Sequence, residues 1–246
     1  MIYLPKIYSD SKILFYDIES APNLAYVWGK YEQDVISFKE EWFMMSFAYK
    51  WQGKPVHAYG LSSFSGYKPH STDDKQLVKK LHETLSEADV IIAHNGNKFD
   101  IRKSNARFIY YNLPPIPPTK FIDTLLIARK YFMFNSNKLD DLCRYLGIGK
   151  KVHTGGFDLW QGCMEGKRKS WGTMLTYNKN DVIILEKLYN KLLPWTQTIT
   201  SSKNICTLCK GTHFNKHGYY FTNSKKYTRL QCQDCGTWIK MLCIDK

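Results

Sequence analysis

The 246-residue chain is 43% hydrophobic and 23% charged, and its 35 Lys and Arg against 22 Asp and Glu give a formal charge of +13. That composition supports a packed core and excludes general disorder, and no apolar run reaches the roughly 18 to 20 residues of a spanning helix, so no membrane association is expected. Residues 201–246 hold eight Lys/Arg and two Asp/Glu, a surplus of +6 that leaves +7 for residues 1–200. A basic surplus in both parts favours a polyanionic partner, nucleic acid first. The N-terminal MIYLPKIYSDSKILFYDIES lacks the basic, apolar and small-residue succession of a signal peptide. The expected location is therefore cytoplasmic, where seven cysteines serve as thiols or metal ligands rather than disulfides.

Taken in chain order, Ile13 to Glu19 is a β-rich run too apolar for an exposed edge, and it reads as a central strand. Trp42 to Trp51 and Pro55 to Tyr59, around the turn Gln52-Gly53-Lys54, extend it into an antiparallel meander. Leu77, Val78, Leu81 and Leu85 recur at helical spacing within residues 72–87, with Thr72 as the expected N-cap. Asp89 to His94 then reads as a buried strand. A helix over 98–112 is broken by the proline-rich Leu113 to Pro118, and a short strand follows at Phe121-Ile122. Helices are predicted over 124–132, 138–146 and 171–192. Strands followed by alternating helices and strands make an α/β sheet with helices on its faces. The expected division is a first domain over 1–195, a Ser/Thr-rich linker over 196–203 and a small domain over 204–246.

Asp17 and Glu19 are two apart on the first strand, so both project from one face. Two like charges at the end of a buried strand are unfavourable without cations, and a divalent metal is the natural compensation. Asp100 follows the second buried strand in Asn95-Gly-Asn-Lys-Phe99-Asp100. Tyr177 and Asp181 are four apart on the last helix, hence on one helical face, and the acid has apolar neighbours Val182, Ile183 and Leu185.

Phe-Tyr-Asp17-Ile-Glu19, Asn95-x3-Phe99-Asp100 and Tyr177-x3-Asp181 resemble, in this order, the three exonuclease motifs of the DEDD superfamily in its tyrosine-bearing DEDDy branch. The likeness is to the proofreading domains of family B DNA polymerases and related stand-alone exonucleases, and it covers roughly residues 12–193. Lys138-Leu139-Asp140-x-Leu142-x3-Leu146-Gly147-Ile148 resembles a segment between their second and third motifs. The histidine branch places a histidine where this chain has Thr176. The resemblance implies an RNase H-like mixed sheet of about five strands with flanking helices. It also implies two Mg²⁺ or Mn²⁺ ions, about 4 Å apart, held by Asp17, Glu19, Asp100 and Asp181. Tyr177 is then expected to orient the attacking water rather than deprotonate it, since a phenol of pKa near 10 is a poor base. Asn95 and Lys138 are candidate substrate contacts, each with a local alternative: helix capping for Asn95 and solvation for Lys138. Asp123, an acid near such sites in the family, suits a helix N-cap better.

Cys206-x2-Cys209, 22 residues and Cys232-x2-Cys235 supply four thiolates at the spacing of a tetrahedral Zn²⁺ site, and the basic segment between them fits a zinc ribbon. A segment of about 45 residues hardly builds a sufficient core without such a staple. Lys and Arg interleaved with Tyr219, Tyr220, Tyr227 and Trp238 suit a nucleic-acid grip, with docking to a replication or repair protein as the alternative. The expected activity is metal-dependent 3′-to-5′ exonucleolysis of DNA, in a bacterial or phage-infected cell. A structure-specific endonuclease, an RNA exonuclease or an inactive nucleic-acid-binding adaptor on the same scaffold are the alternatives.

Overall fold

The computed structural model describes residues 11–31, 34–196, 199–200, 205–206, 208–221 and 225–242. Its centre is a sheet of five strands, β1 (Ile13–Ser20), β4 (Met44–Trp51), β5 (Val56–Gly60), β6 (Val90–Ala93) and β7 (Lys120–Asp123), ordered β5-β4-β1-β6-β7. The first three form the expected antiparallel meander, while β6 and β7 add in parallel beside β1. A central place between antiparallel β4 and parallel β6, with coverage on both faces, explains why β1 reads as one apolar run up to its acids. Its even positions Leu14, Tyr16 and Ile18 join one buried cluster with Leu77, Leu81 and Leu85 of α1 (Lys75–Ser86) and Phe108 of α2 (Asp100–Tyr110). Its odd positions Ile13 and Phe15 join a second with Val90, Ile92 and the later turns of α6 (Arg168–Leu192), through Val182, Leu185 and Tyr189.

Between β1 and β4 lies an arm absent from the sequence reading, β2 (Leu24–Tyr26) paired with β3 (Ser37–Glu40). Its alternation is too short and too exposed to register as a strand signal. Residues 124–146 form α3 (Thr124–Tyr131) and α4 (Leu139–Tyr145), which pack on α6 through Ala128, Leu142, Ile184 and Leu188. The short α5 (Phe157–Met164), also unforeseen, carries Leu159 and Cys163 into the first cluster. Thr72 does not cap α1. Asp74 occupies that position, and its carboxylate accepts from the Met44 amide at 2.7 Å and pairs with Arg107, tying α1 and α2 to the edge of β4.

The C-terminal segment is a second sheet, β8-β11-β10-β9, built from β8 (Ile199–Thr200), β9 (Phe214–Phe221), β10 (Lys226–Cys232) and β11 (Trp238–Leu242). Ile199–Thr200, inside the segment read as a linker, thus pairs in parallel with β11; residues 197–198 and 201–204 lie outside the described residues. The centre of the β9-β10 turn, 222–224, lies outside them too. Leu208, Cys206 and Cys232 are buried in the cluster that holds Ile13, Phe15 and Leu193, so the small sheet rests on the main one. Among the described residues, no helix is long and apolar enough to cross a membrane.

Candidate active site and metal centres

The odd face of β1 continues past Ile13 and Phe15 to Asp17 and Glu19, where α6 crosses above with Tyr177 and Asp181. One carboxylate oxygen from each of Asp17, Glu19 and Asp181 lies within 4.8 Å of the others. Asp100, the first residue of α2, stands beside them; its Oδ1 accepts from the Ile18 amide at 3.1 Å. All four expected acids therefore converge, three in one tight group and Asp100 anchored to the β1 backbone.

Their electrostatics are those of anions deprived of water. Asp181 is 1% exposed and Asp100 3%. Burial, then the neighbouring carboxylates, raises Asp17 well above the usual carboxylate range. Burial also lifts Glu19 to about 8 and Asp100 to about 7. Asp181 Oδ1 is buried with no hydrogen-bond partner. An acceptor left bare among three other carboxylates is unstable by itself and suits a divalent cation, whose preferred ligands are carboxylate oxygens.

The sequence reading missed three residues that shape this site. Asn178, next to Tyr177, is wholly buried; its Nδ2 donates to Asp17 Oδ2 at 2.7 Å, and its Oδ1 accepts from Ser46 Oγ on β4 at 3.1 Å. The amide thus fixes one oxygen of Asp17 and leaves the other to a ligand. Lys151 donates from Nζ to Asp181 Oδ2 at 2.5 Å and to the Tyr177 hydroxyl at 3.0 Å. Its loop is pinned on both sides: its own amide donates to Asp140 Oδ1 at 2.6 Å, and Asn180 holds the Lys150 carbonyl at 2.9 Å. Gly149, at φ +153°, lets that loop pass Ile184 at a distance where a Cβ would clash. Burial, followed by the charges of Glu19 and Asp181, raises the Tyr177 phenol, so it stays protonated.

His94, the third, ends β6. Its Nε2 meets the Asn137 carbonyl and its Nδ1 the Thr124 hydroxyl, both at 2.9 Å, and burial lowers its pKa so that it stays neutral. It thereby holds the 133–138 loop over a cavity of about 640 Å³ that opens beside Asp17. Asn95, Arg129, Lys138 and Lys151 line this cavity. Asn95 sits at φ +64°, a conformation that asparagine tolerates, and lines the cavity instead of capping α2, whose N-cap position is held by Phe99 with no side-chain cap bond. Lys138 begins α4 and lines the same wall. Asp123 caps α3 through the Leu125 amide at 3.0 Å and also accepts from the Asn95 and Asn97 amides, so it shapes the loop before Asp100.

At the far end of the odd face lie the four cysteines. Their Sγ atoms fall within 4.8 Å of one another, with Cys206–Cys235 at 3.6 Å and Cys209–Cys232 at 3.4 Å. Tetrahedral ligands at a Zn–S distance of 2.3 Å stand about 3.8 Å apart, so the donor set fits such an ion with little adjustment. The two knuckles repeat one backbone pattern. The amides of Cys206 and Cys232 donate to the carbonyls of Gly211 and Thr237, while Lys210 and Gly236 take positive φ and donate back to Cys206 and Cys232. Burial pushes the Cys206 thiol up to about 11, a cost that a bound cation would remove.

Comparison with known proteins bears on the family and the fold. A family model described as the RNase_H superfamily matches residues 56–193, beginning after the strand that carries Asp17 and Glu19. Over 75 residues the chain is 33% identical to the DNA polymerase III PolC-type of Ureaplasma parvum serovar 3, a match covering 30% of this chain and 5% of that polymerase. The chain therefore spans only a small fraction of that relative. The family B DNA polymerase of the hyperthermophilic archaeon Pyrobaculum calidifontis superposes with a TM-score of 0.57 and 18% identity, over 75% of this chain and 25% of that chain. At that identity the likeness is one of fold.

Proposed function

The chain belongs to the RNase H superfamily, a nuclease scaffold, and we propose that it is a 3′-to-5′ exonuclease that hydrolyses the terminal phosphodiester of DNA with two divalent metal ions. The observation that carries this reading is the convergence of Asp17, Glu19 and Asp181 within 4.8 Å, with Asp100 adjoining and Asp181 Oδ1 bare. Asp17, Glu19, Asp100 and Asp181 would hold the ions, and Asn178 fixes the donor orientation of Asp17. When bound, Mg²⁺ or Mn²⁺ supplies the Lewis acidity and positive charge that let water attack and a sugar oxygen leave near neutral pH. Tyr177, protonated and 3.0 Å from Lys151, is placed to orient the attacking water by a hydrogen bond. Lys151 brings a cation to the scissile phosphate, and the cavity lined by Asn95 and Lys138 receives the terminal nucleotide. The polymerase names of the matched proteins support DNA as substrate, and the ordered exonuclease motifs support the polarity. The four cysteines would hold a structural Zn²⁺.

The test is a panel of 5′-labelled single-stranded DNA, duplex DNA and RNA, with a circular DNA arm, in Mg²⁺, Mn²⁺ or chelator. Metal-dependent stepwise shortening of linear DNA from the 3′ end is expected. Cleavage of the circle makes the enzyme an endonuclease, and no shortening of any substrate removes the nuclease reading.

A further inference from the structure

The small sheet turns one face inward and the other to solvent. Leu230, Cys232 and Ile239 point in and are buried. Alternation along β10 then sends Tyr227, Arg229 and Gln231 outward, and their cross-strand partners Tyr220, Lys240 and Trp238 share that side. Cations and rings alternate there. Lys240 Nζ lies 4.8 Å from the Tyr220 ring and 5.1 Å from that of Tyr227, His217 packs on Trp238 at 4.9 Å, and the Arg229 guanidinium holds the His217 carbonyl. Tyr220 and Trp238 remain about 40% exposed. Residues 205–242 contain one acid, Asp234, which lies at a knuckle beside His213 and not among these residues.

We propose that this face binds single-stranded nucleic acid, with Tyr220, Tyr227 and Trp238 stacking on unpaired bases and Arg229 and Lys240 meeting phosphates. The occupant follows from chemistry. Exposed rings flanked by cations and free of carboxylates complement a chain that repeats a planar base and an anionic phosphate, and stacking requires bases released from a duplex. The proposal extends the nuclease reading by naming where the strand is held away from the reacting end. The knuckles join the cluster around Ile13 and Phe15, whereas Glu19 lies six residues beyond Ile13, about 20 Å along the strand. A strand running from the carboxylates to the outer face of the ribbon must cover more than that distance, hence more than about six nucleotides at the stacked spacing of 3.4 Å. Short oligonucleotides reach only the acidic site, and longer ones engage both.

The experiment measures fluorescence anisotropy of labelled dT4 and dT20 on the full chain without divalent ions, alongside KM for both in Mg²⁺. Wild type is expected to bind dT20 at least about tenfold more tightly than dT4. Tyr220→Ala with Trp238→Ala is expected to abolish that advantage, leaving dT20 and dT4 bound about equally. Trp238→Phe retains a stacking ring and should restore most of it in a Tyr220-containing chain, and one equivalent of zinc in each variant certifies the fold. An unchanged length advantage in the double variant overturns the proposal, as does wild type binding both lengths equally or binding a duplex 20-mer as tightly as dT20. The anisotropy arm needs no cleavage, so a chain that grips dT20 but shortens nothing refutes the nuclease reading and leaves this one standing.

Discussion

The carboxylate cluster at the end of β1 and the thiol cluster beside its start both crowd anionic ligands, yet they are assembled in opposite ways. The four cysteines come from two turns of identical backbone pattern, 26 positions from first knuckle to second, and they face one another at the spacing of a single ion. The acids come from β1, α2 and α6, are fixed by Ile18 and Asn178, and leave Asp181 Oδ1 bare, while a cavity of about 640 Å³ opens beside Asp17. A site closed on all sides makes a staple, whereas one with spare acceptors and an open flank makes room for substrate.

Removing ligands should separate the two. Asp17→Ala is expected to lower the nuclease rate by on the order of 10³-fold or more with little loss of Tm, since it deletes a buried like charge, whereas Asp181→Ala also strands the Lys151 ammonium and should cost some stability as well as activity. A fall in Tm of many degrees would mean that the acids serve the fold. Cys206→Ser with Cys209→Ser should do the reverse. Zinc content falls to zero, the ribbon unfolds, and the main domain loses several degrees of Tm because the knuckles share its second cluster. A main domain with unaltered Tm would break that link.

Asn178→Ala leaves Asp17 Oδ2 and the Ser46 hydroxyl without their partner, and about a tenfold to hundredfold loss of kcat is expected, together with weaker Mn²⁺ binding by calorimetry. Unchanged metal affinity would remove Asn178 from the site. The smallest effect is on pH. Glu19 at about 8 and Asp100 at about 7 in the metal-free chain are raised above their unfolded values. Between pH 4 and 8 the folded state therefore binds more protons than the unfolded one, and stability declines as pH rises. Tm in divalent-free buffer should drop by a few degrees from pH 5 to pH 9, and added Mg²⁺ should raise it most at the alkaline end. The same ramp with Asp100→Asn should be flatter.

How much of this was legible in the sequence follows from the range of each signal. The acids of α2 and α6 were tied to Asp17 and Glu19 only by resemblance to the ordered exonuclease motifs, whereas β1, α1 and α6 were readable from their local periodicity. Asp123 as a cap was likewise readable from its local sequence. The β2-β3 arm was not, because its exposed residues have no buried face to impose a pattern. Lys151 carried no local sign: two adjacent lysines before a loop look like solvated charge, and only the anchors at Asp140 and Asn180 aim one of them at Asp181. Thr72 failed as a cap because Asp74 is held by the β4 amide and Arg107, a tertiary demand invisible in the helix itself. Asn178 was adjacent to a motif residue, and its partner was 161 positions away.

That last separation bears on how the molecule comes into being. During synthesis the strand bearing Asp17 and Glu19 emerges early, but the helix that completes their surroundings is the last long element of the main domain. Contacts this distant in sequence form late, after the loop between them has been closed. A growing chain shorter than about 190 residues thus carries acids without Tyr177, Asn178 and Asp181 packed over them. On the proposed reading, the capacity to cleave nucleic acid would arrive in one step with the docking of α6, and a chain stalled before it would lack that capacity.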